Sequence, residues 1–99
     1  MSISYPSAIG KTVELTDERQ AHIVRYHPDV VPFLDRIGEA LANPDALRRS
    51  IQDSEVVLFY KFYPDILGGK YMVVVVKENG RCFVLTVYVT KSIRTGVAL

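Results

Sequence analysis

The sequence predicts an α+β domain made of a short strand, then helices, then a C-terminal antiparallel meander. The first half carries apolar residues at helical spacing, and the second half carries three runs rich in valine and aromatic residues. The dipeptide Asn79-Gly80, which is typical of tight hairpins, separates the last two runs. Because the chain has 99 residues, we expect a single domain over residues 1–99.

The chain starts with an arm that we expect to be irregular over residues 1–10, since it contains proline and glycine. Residues 11–15 alternate weakly in polarity and predict a short strand. Thr16 predicts the start of a helix, because its hydroxyl can accept a first-turn N–H and two acidic residues follow it. We expect this helix to end near Tyr26, because Pro28 disfavours the α conformation in the residue before it.

A second helix is predicted from about Pro32, where proline is tolerated in a first helical turn. Its apolar stripe consists of Phe33, Leu34, Ile37, Ala40 and Leu41. The order Asn43-Pro44-Asp45 is typical of an N-cap and the two residues after it, so it predicts a short third helix that ends near Ser50.

The meander is predicted to consist of strands at residues 55–63, 70–77 and 81–90. A two-residue turn at Asn79-Gly80 pairs Glu78 with Arg81 and sets which side chains share a face. One face is then wholly apolar and must pack on the helices, with Met72, Val74, Val76, Phe83, Leu85, Val87 and Val89. The opposite face is apolar near the turn and bears hydroxyl groups at its far end, with Tyr71, Val73, Val75, Lys77, Cys82, Val84, Thr86, Tyr88 and Thr90.

Composition excludes several classes of protein. Twelve Lys and Arg against eleven Asp and Glu give a net charge of +1, so an anionic ligand has to meet a local cluster of cations. The single cysteine, Cys82, excludes an intramolecular disulfide and a multi-cysteine metal site, and it favours a reducing cytoplasm. We expect no membrane span, because no apolar run approaches the ~18–20 residues that a span needs, and no secretory signal, because residues 1–11 lack a charged region followed by an apolar one. We also expect no cofactor, and Gly68-Gly69 is typical of a turn and not of a phosphate-binding loop.

Several short motifs follow one another in an order that is similar to a known family of nucleases. They are residues 13–19, His22-Ile23, residues 25–29, Asn43-Pro44-Asp45, Tyr60-Lys61 and residues 84–88. Over residues 12–96 the chain resembles the barnase–EndoU–colicin–RelE-like (BECR) nucleases, in particular the small phage and bacterial domains with an "LTxE…HI…HP" helix and a terminal "TxY" strand. The resemblance implies a helical layer against a curved antiparallel sheet. With the elements read above, we expect two or three N-terminal helices on one face of a sheet of three to four strands. It also implies metal-independent RNA cleavage on the open sheet face and, for toxin-like members, a neutralising partner protein.

Metal-independent cleavage uses the 2′-hydroxyl of RNA as the nucleophile, so the site needs a base, an acid and cations at the phosphate. The resemblance places a functional histidine at His22, and Arg25 lies three residues further along the same helix. Thr86 and Tyr88 share the hydroxyl-bearing face, and we predict that these four residues are catalytic. Alternatively, His22 pairs with Glu18 on a solvated helix surface.

The predicted substrate contacts are His27, Tyr60, Lys61, Tyr71, Thr90 and Lys91. Tyr60 and Lys61 point to opposite faces of their strand, so one of them joins the site. Arg19 and Arg94 are further candidate phosphate ligands, and His27 can instead cap the end of the first helix.

Two other functions fit the same residues. The face that carries Tyr71 and Tyr88 is also suited to a non-catalytic domain that binds RNA or protein, including a homodimer. An enzyme that acts on a small phosphorylated ligand, between the first helix and the sheet, is the third alternative.

Overall fold

The computed structural model describes residues 2–93 and 96–99, which form seven strands, two α-helices and one 3-10 segment. The strands are β1 (Ile3–Pro6), β2 (Thr12–Leu15), β3 (Ala46–Arg49), β4 (Val56–Tyr63), β5 (Lys70–Glu78), β6 (Cys82–Thr90) and β7 (Val97–Ala98). The helical elements are α1 (Asp17–Tyr26), the 3-10 segment (Pro28–Arg36) and α2 (Ile37–Ala42). The predicted architecture of two or three helices on a sheet of three to four strands is wrong, because sheet dominates the described residues and both α-helices are short.

All seven described strands belong to one sheet in the order β1-β2-β6-β5-β4-β3-β7. β2 runs parallel to β6, and the other neighbouring pairs are antiparallel. The N-terminal arm is not irregular throughout, because β1 pairs with β2 at one edge of the sheet. Pro6 is the last residue of β1, where a missing N–H is tolerated on an edge strand. The ring of Tyr5 packs so closely on α2 that a Cβ at Gly38 would lie 3.0 Å from it.

The predicted second helix begins five residues later than expected as an α-helix, at Ile37 instead of Pro32. The residues before it adopt the tighter 3-10 geometry, with Pro32 inside the segment. Proline has no N–H to give to the previous turn, and its ring collides with the carbonyl that an α-helix places there. Pro32 therefore disfavours an α-helical turn over the residues before it, and α geometry begins at Ile37.

The predicted third helix is wrong, since Ala46–Arg49 forms β3 and pairs with β4. Asp45 extends this pairing by donating its N–H to the carbonyl of Tyr60 at 2.7 Å. Its carboxylate also accepts the N–H of Phe62 at 2.7 Å. Pairing with the long strand β4 outweighs the local helix preference of this short segment.

The turn between β5 and β6 differs from the predicted two-residue hairpin. Glu78 pairs with Cys82 and not with Arg81, so three residues make the turn. Gly80 has a φ of +93°, whereas Asn79 keeps an ordinary negative φ. One left-handed residue is thus enough for this turn, and the register at the turn end is shifted by one residue.

A β-bulge shifts the register of β5 and β6 a second time. Val76 pairs with Val84, but Val75 pairs with Thr86, which leaves Leu85 as the extra residue. The two faces of β6 are therefore exchanged between the turn and the bulge: Val84 lies in the core under the helices, and Leu85 packs on the opposite side. Beyond the bulge the predicted faces hold, because Thr86 lies opposite Val75.

Both faces of the sheet carry buried apolar residues. The main core lies between the sheet and the helical elements and includes Ile23, Ile37 and Phe59. On the opposite side a second cluster consists of Val56, Tyr60, Val73 and Val75. Ile93, on the way from β6 to β7, packs against the second cluster. The face that we expected to be open is therefore partly covered.

Candidate functional site

The free part of the β6 edge is covered by α1. β2 pairs with β6 only as far as Glu14 and Phe83, so the edge beyond this pair has no neighbouring strand among the described residues. The guanidinium of Arg19 donates to the carbonyl of Leu85, with Nε at 2.8 Å and Nη2 at 2.5 Å. This contact satisfies a carbonyl at the bulge and fixes α1 against the second half of β6.

The local sequence explains where α1 begins and ends. The hydroxyl of Thr16 accepts the N–H of Arg19 at 3.2 Å, as the N-cap pattern predicts. At the other end, the N–H of His27 donates to the carbonyl of Ile23 at 2.8 Å. Ile23 is fully buried in the main core, so the opposite side of α1 faces outward.

His22, Arg25 and Tyr26 form a group on the outward side of α1. The rings of His22 and Tyr26 lie 4.9 Å apart, and the guanidinium carbon of Arg25 lies 5.4 Å from the centre of the Tyr26 ring. Partial burial lowers the pKa of His22, and the positive charges of Arg19 and His27 lower it further. His22 therefore favours the neutral form, which can accept a proton.

His27 joins α1 to the far half of β6. Its ring lies 6.4 Å from the ring of Tyr88, and both side chains are half-buried. We call the surface formed by His22, Arg25, Tyr26, His27 and Tyr88 the α1–β6 edge. It includes three predicted catalytic residues and one predicted substrate contact, in two contact groups, His22–Tyr26–Arg25 and His27–Tyr88.

The fourth predicted catalytic residue, Thr86, is placed differently. Its hydroxyl oxygen is buried and has no hydrogen-bond partner among the described residues. Thr86 lies on the same face as the second cluster, opposite Val75. A buried hydroxyl is shielded from a phosphate in solution, so Thr86 is not part of the α1–β6 edge.

The aromatic residues of the second face are packed against one another. Tyr60 is fully buried, and its ring meets Tyr71 edge-on at 6.3 Å. Tyr71 in turn meets Phe62 at 5.3 Å. Tyr60 is the residue of the Tyr60-Lys61 pair that lies on this face, but its burial leaves it no surface for a base to stack on.

The remaining predicted contacts are not among the five residues of the α1–β6 edge. The ammonium of Lys61 is on the helix side of the sheet, 3.7 Å from the carboxylate of Asp45. The hydroxyl of Thr90 donates to the carbonyl of Ser92 at 3.4 Å, and Lys91 is exposed. Arg94 lies outside the described residues.

Two features of the edge were not predicted. Tyr26 was not among the predicted site residues, although its position four residues after His22 places it beside that ring; it contacts both His22 and Arg25. The role of Arg19 as an anchor for the Leu85 carbonyl has no such signal, because it depends on the bulge in β6.

In the described part of the chain no three His, Cys, Asp or Glu side chains are arranged to hold a metal ion. No helix in that part has the length and apolar character of a membrane span. Comparison of the chain with protein-family models, with curated proteins and with solved structures gives no significant match.

Proposed function

We propose that the protein is a metal-independent cytoplasmic ribonuclease that works at the α1–β6 edge. The observation that carries this proposal is the environment of His22. Its pKa is lowered by partial burial and by the charges of Arg19 and His27, and its ring and the guanidinium of Arg25 both contact the ring of Tyr26. A neutral imidazole beside a guanidinium combines a proton acceptor with a cation for a phosphate.

In the proposed step, His22 accepts the proton of the RNA 2′-hydroxyl as the 2′ oxygen bonds to phosphorus. The bond between phosphorus and the 5′ oxygen breaks, and the 5′ oxygen takes a proton from the imidazolium of His27. The products are a 2′,3′-cyclic phosphate and a 5′-hydroxyl. Arg25 offsets the charge that builds on the phosphate oxygens, while Tyr26, which is 59% exposed, and Tyr88 offer rings for neighbouring bases.

Arg19 acts in this proposal as a positioning residue. Its guanidinium is committed to the carbonyl of Leu85, so we do not count it as a phosphate ligand. It holds α1 against β6, and its charge helps to keep His22 neutral.

The test is incubation of the purified protein with RNA in the presence of EDTA, followed by chromatography of the products. We expect cyclic-phosphate ends, and we expect His22→Gln to slow their formation by about 10²–10⁴-fold, the usual loss for a general base. Val24→Ala is the matched control, because Val24 is an exposed residue of the same helix without ionisable chemistry. Intact RNA across a wide pH range, or undiminished cleavage by His22→Gln, would refute the proposal.

RNA binding without cleavage is the second candidate. The half-buried rings of Tyr71 and Tyr88, together with Phe62 at 42% exposure, support it, because partly exposed aromatic rings can stack on unpaired bases. A protein that binds RNA but leaves it intact would favour this candidate. Light scattering of the same samples shows whether the binding species is a homodimer.

A further inference from the structure

A cleft of about 440 Å³ lies where the far end of β6 meets the turn between β4 and β5. Its walls include Asp29, Leu67, Lys70, Thr90 and Lys91. Asp29 follows His27 by two residues, and Thr90 follows Tyr88 by two residues. The cleft therefore adjoins the α1–β6 edge at the His27–Tyr88 end.

Two lysines that line this cleft have no carboxylate partner among the described residues. Of the five lysines in the chain, three form ion pairs: Lys11 with Glu78, Lys61 with Asp45, and Lys77 with Asp53 and Glu55. Lys70 and Lys91 have no ion pair with any described residue. The two lysines that form no ion pair within the described part of the chain are thus the two that line this cleft.

The turn holds Lys70 in place. Its ammonium donates to the carbonyl of Leu67 at 3.0 Å and to that of Gly69 at 3.4 Å. An ammonium has three donors, so one remains for a ligand. Leu67 has a φ of +48°, and it is the one residue other than glycine in the left-handed region among those described. Strained backbone of this kind is concentrated at functional sites.

The residues that line the cleft also suit a nucleotide in polarity. Leu67 is 62% exposed and, with Val89, supplies apolar surface beside the two ammonium groups. Asp29 is the carboxylate in the lining, so two positive charges face one negative charge. This balance suits a phosphodiester that carries one negative charge, with Asp29 free to accept an N–H from a base.

We propose that this cleft binds the phosphate and base of a nucleotide next to the bond that is cleaved in RNA, an inference that rests on the proposed function. Lys70 and Lys91 contact the phosphate, and Leu67 and Val89 contact the base. The cleft is a binding subsite, so its lysines act on RNA affinity and not on the proton transfers at His22.

The experiment measures binding of a fluorescent 2′-O-methyl tetranucleotide, which cannot be cleaved by 2′-hydroxyl attack, by anisotropy at several salt concentrations. We expect Lys70→Gln and Lys91→Gln each to weaken binding by about 3- to 10-fold and to reduce the slope of log K against log salt by about 0.7, the value for one phosphate contact on a single strand. Lys11→Gln is the matched control, because Lys11 is paired with Glu78 and lies outside the cleft. With cleavable RNA, the two cleft variants should raise KM and leave kcat unchanged.

The outcomes separate the two proposals. Wild-type affinity in both cleft variants, an equal loss in Lys11→Gln, or no binding by the wild type overturns the subsite. If the cleft variants weaken binding but RNA is never cleaved, the RNA subsite stands and the catalytic proposal fails. If His22→Gln abolishes cleavage while the cleft variants bind and cleave normally, the catalytic proposal stands and the subsite fails.

Discussion

Replacement of Thr86 by valine is expected to stabilise the protein. The hydroxyl oxygen of Thr86 is buried without a hydrogen-bond partner among the described residues, and such a group costs about 1–3 kcal/mol. Valine keeps the branched β-carbon and the strand preference, and it places a methyl group where the unpaired oxygen was. We expect the free energy of unfolding to rise by about 1–2 kcal/mol, with a rise in Tm of about 4–8 °C for each kcal/mol.

The measurement is urea unfolding at 25 °C followed by circular dichroism, with thermal melts as a second readout. Thr90→Val is the matched control on the same strand and face, because its hydroxyl does donate, to the carbonyl of Ser92 at 3.4 Å. We expect this control to gain nothing or to lose up to about 1 kcal/mol. The reasoning is refuted if Thr86→Val is no more stable than the wild type, or if both variants gain equally.

Three further predictions each concern the stability of the fold and a single substitution. Arg19→Ala should lower the free energy of unfolding by about 1 kcal/mol in urea titrations, because the partly buried carbonyl of Leu85 loses a charged donor; unchanged stability would contradict this anchoring role. Leu67→Gly should raise the free energy of unfolding by about 0.5–1 kcal/mol, since glycine adopts a positive φ without strain and Leu67 is 62% exposed; a decrease would mean that this turn is not strained. The hydrogen bond and charge of Arg36 lower the pKa of Asp65 in the folded state. This ion pair therefore stabilises the fold fully above the pKa of Asp65 in the unfolded chain, about 3.9. The stabilisation is lost as pH falls through the lower pKa of the folded state. Asp65→Asn should therefore flatten the loss of stability with acid in that range, and an acid profile identical to that of the wild type would count against the pair.

The pH profile of cleavage tests the state of His22 separately from stability. Its pKa is lowered, so the neutral base persists to a lower pH than an ordinary histidine, whose pKa is about 6.5. We expect the acid limb of the plot of kcat/KM against pH to lie below that value. A midpoint of the acid limb above pH 6.5 would show that the pKa of His22 is not lowered.

The sequence predicts elements well where local chemistry decides them. The hydroxyl of Thr16 predicts the N-cap of α1, and Pro28 predicts that the helix ends at Tyr26. The structure confirms both. The three long strands also follow from local composition, because valine and aromatic residues fit a pleated, buried surface. In these cases the deciding atoms are within a few residues of one another.

Prediction fails where distant parts of the chain decide. Ala46–Arg49 becomes a strand because it meets β4, and nothing in its own composition indicates that partner. The bulge at Leu85 exchanges the faces of β6 near the turn, and it accompanies the docking of Arg19 from a helix far away in sequence. For the same reason His22 and Arg25 could be proposed from the helix alone, whereas the burial of Thr86 and Tyr60 could not.

The way in which α1 covers the β6 edge has a consequence for assembly. The helix α1 covers this edge, and the side chain of Arg19 holds it at the bulge by donating to the carbonyl of Leu85. Whenever α1 detaches, the uncovered backbone of β6 offers unsatisfied amides and carbonyls to any extended chain nearby. Loss of that anchor therefore opens a route to strand exchange between molecules and to aggregation, starting from the middle of the sheet and not from its short outer strands.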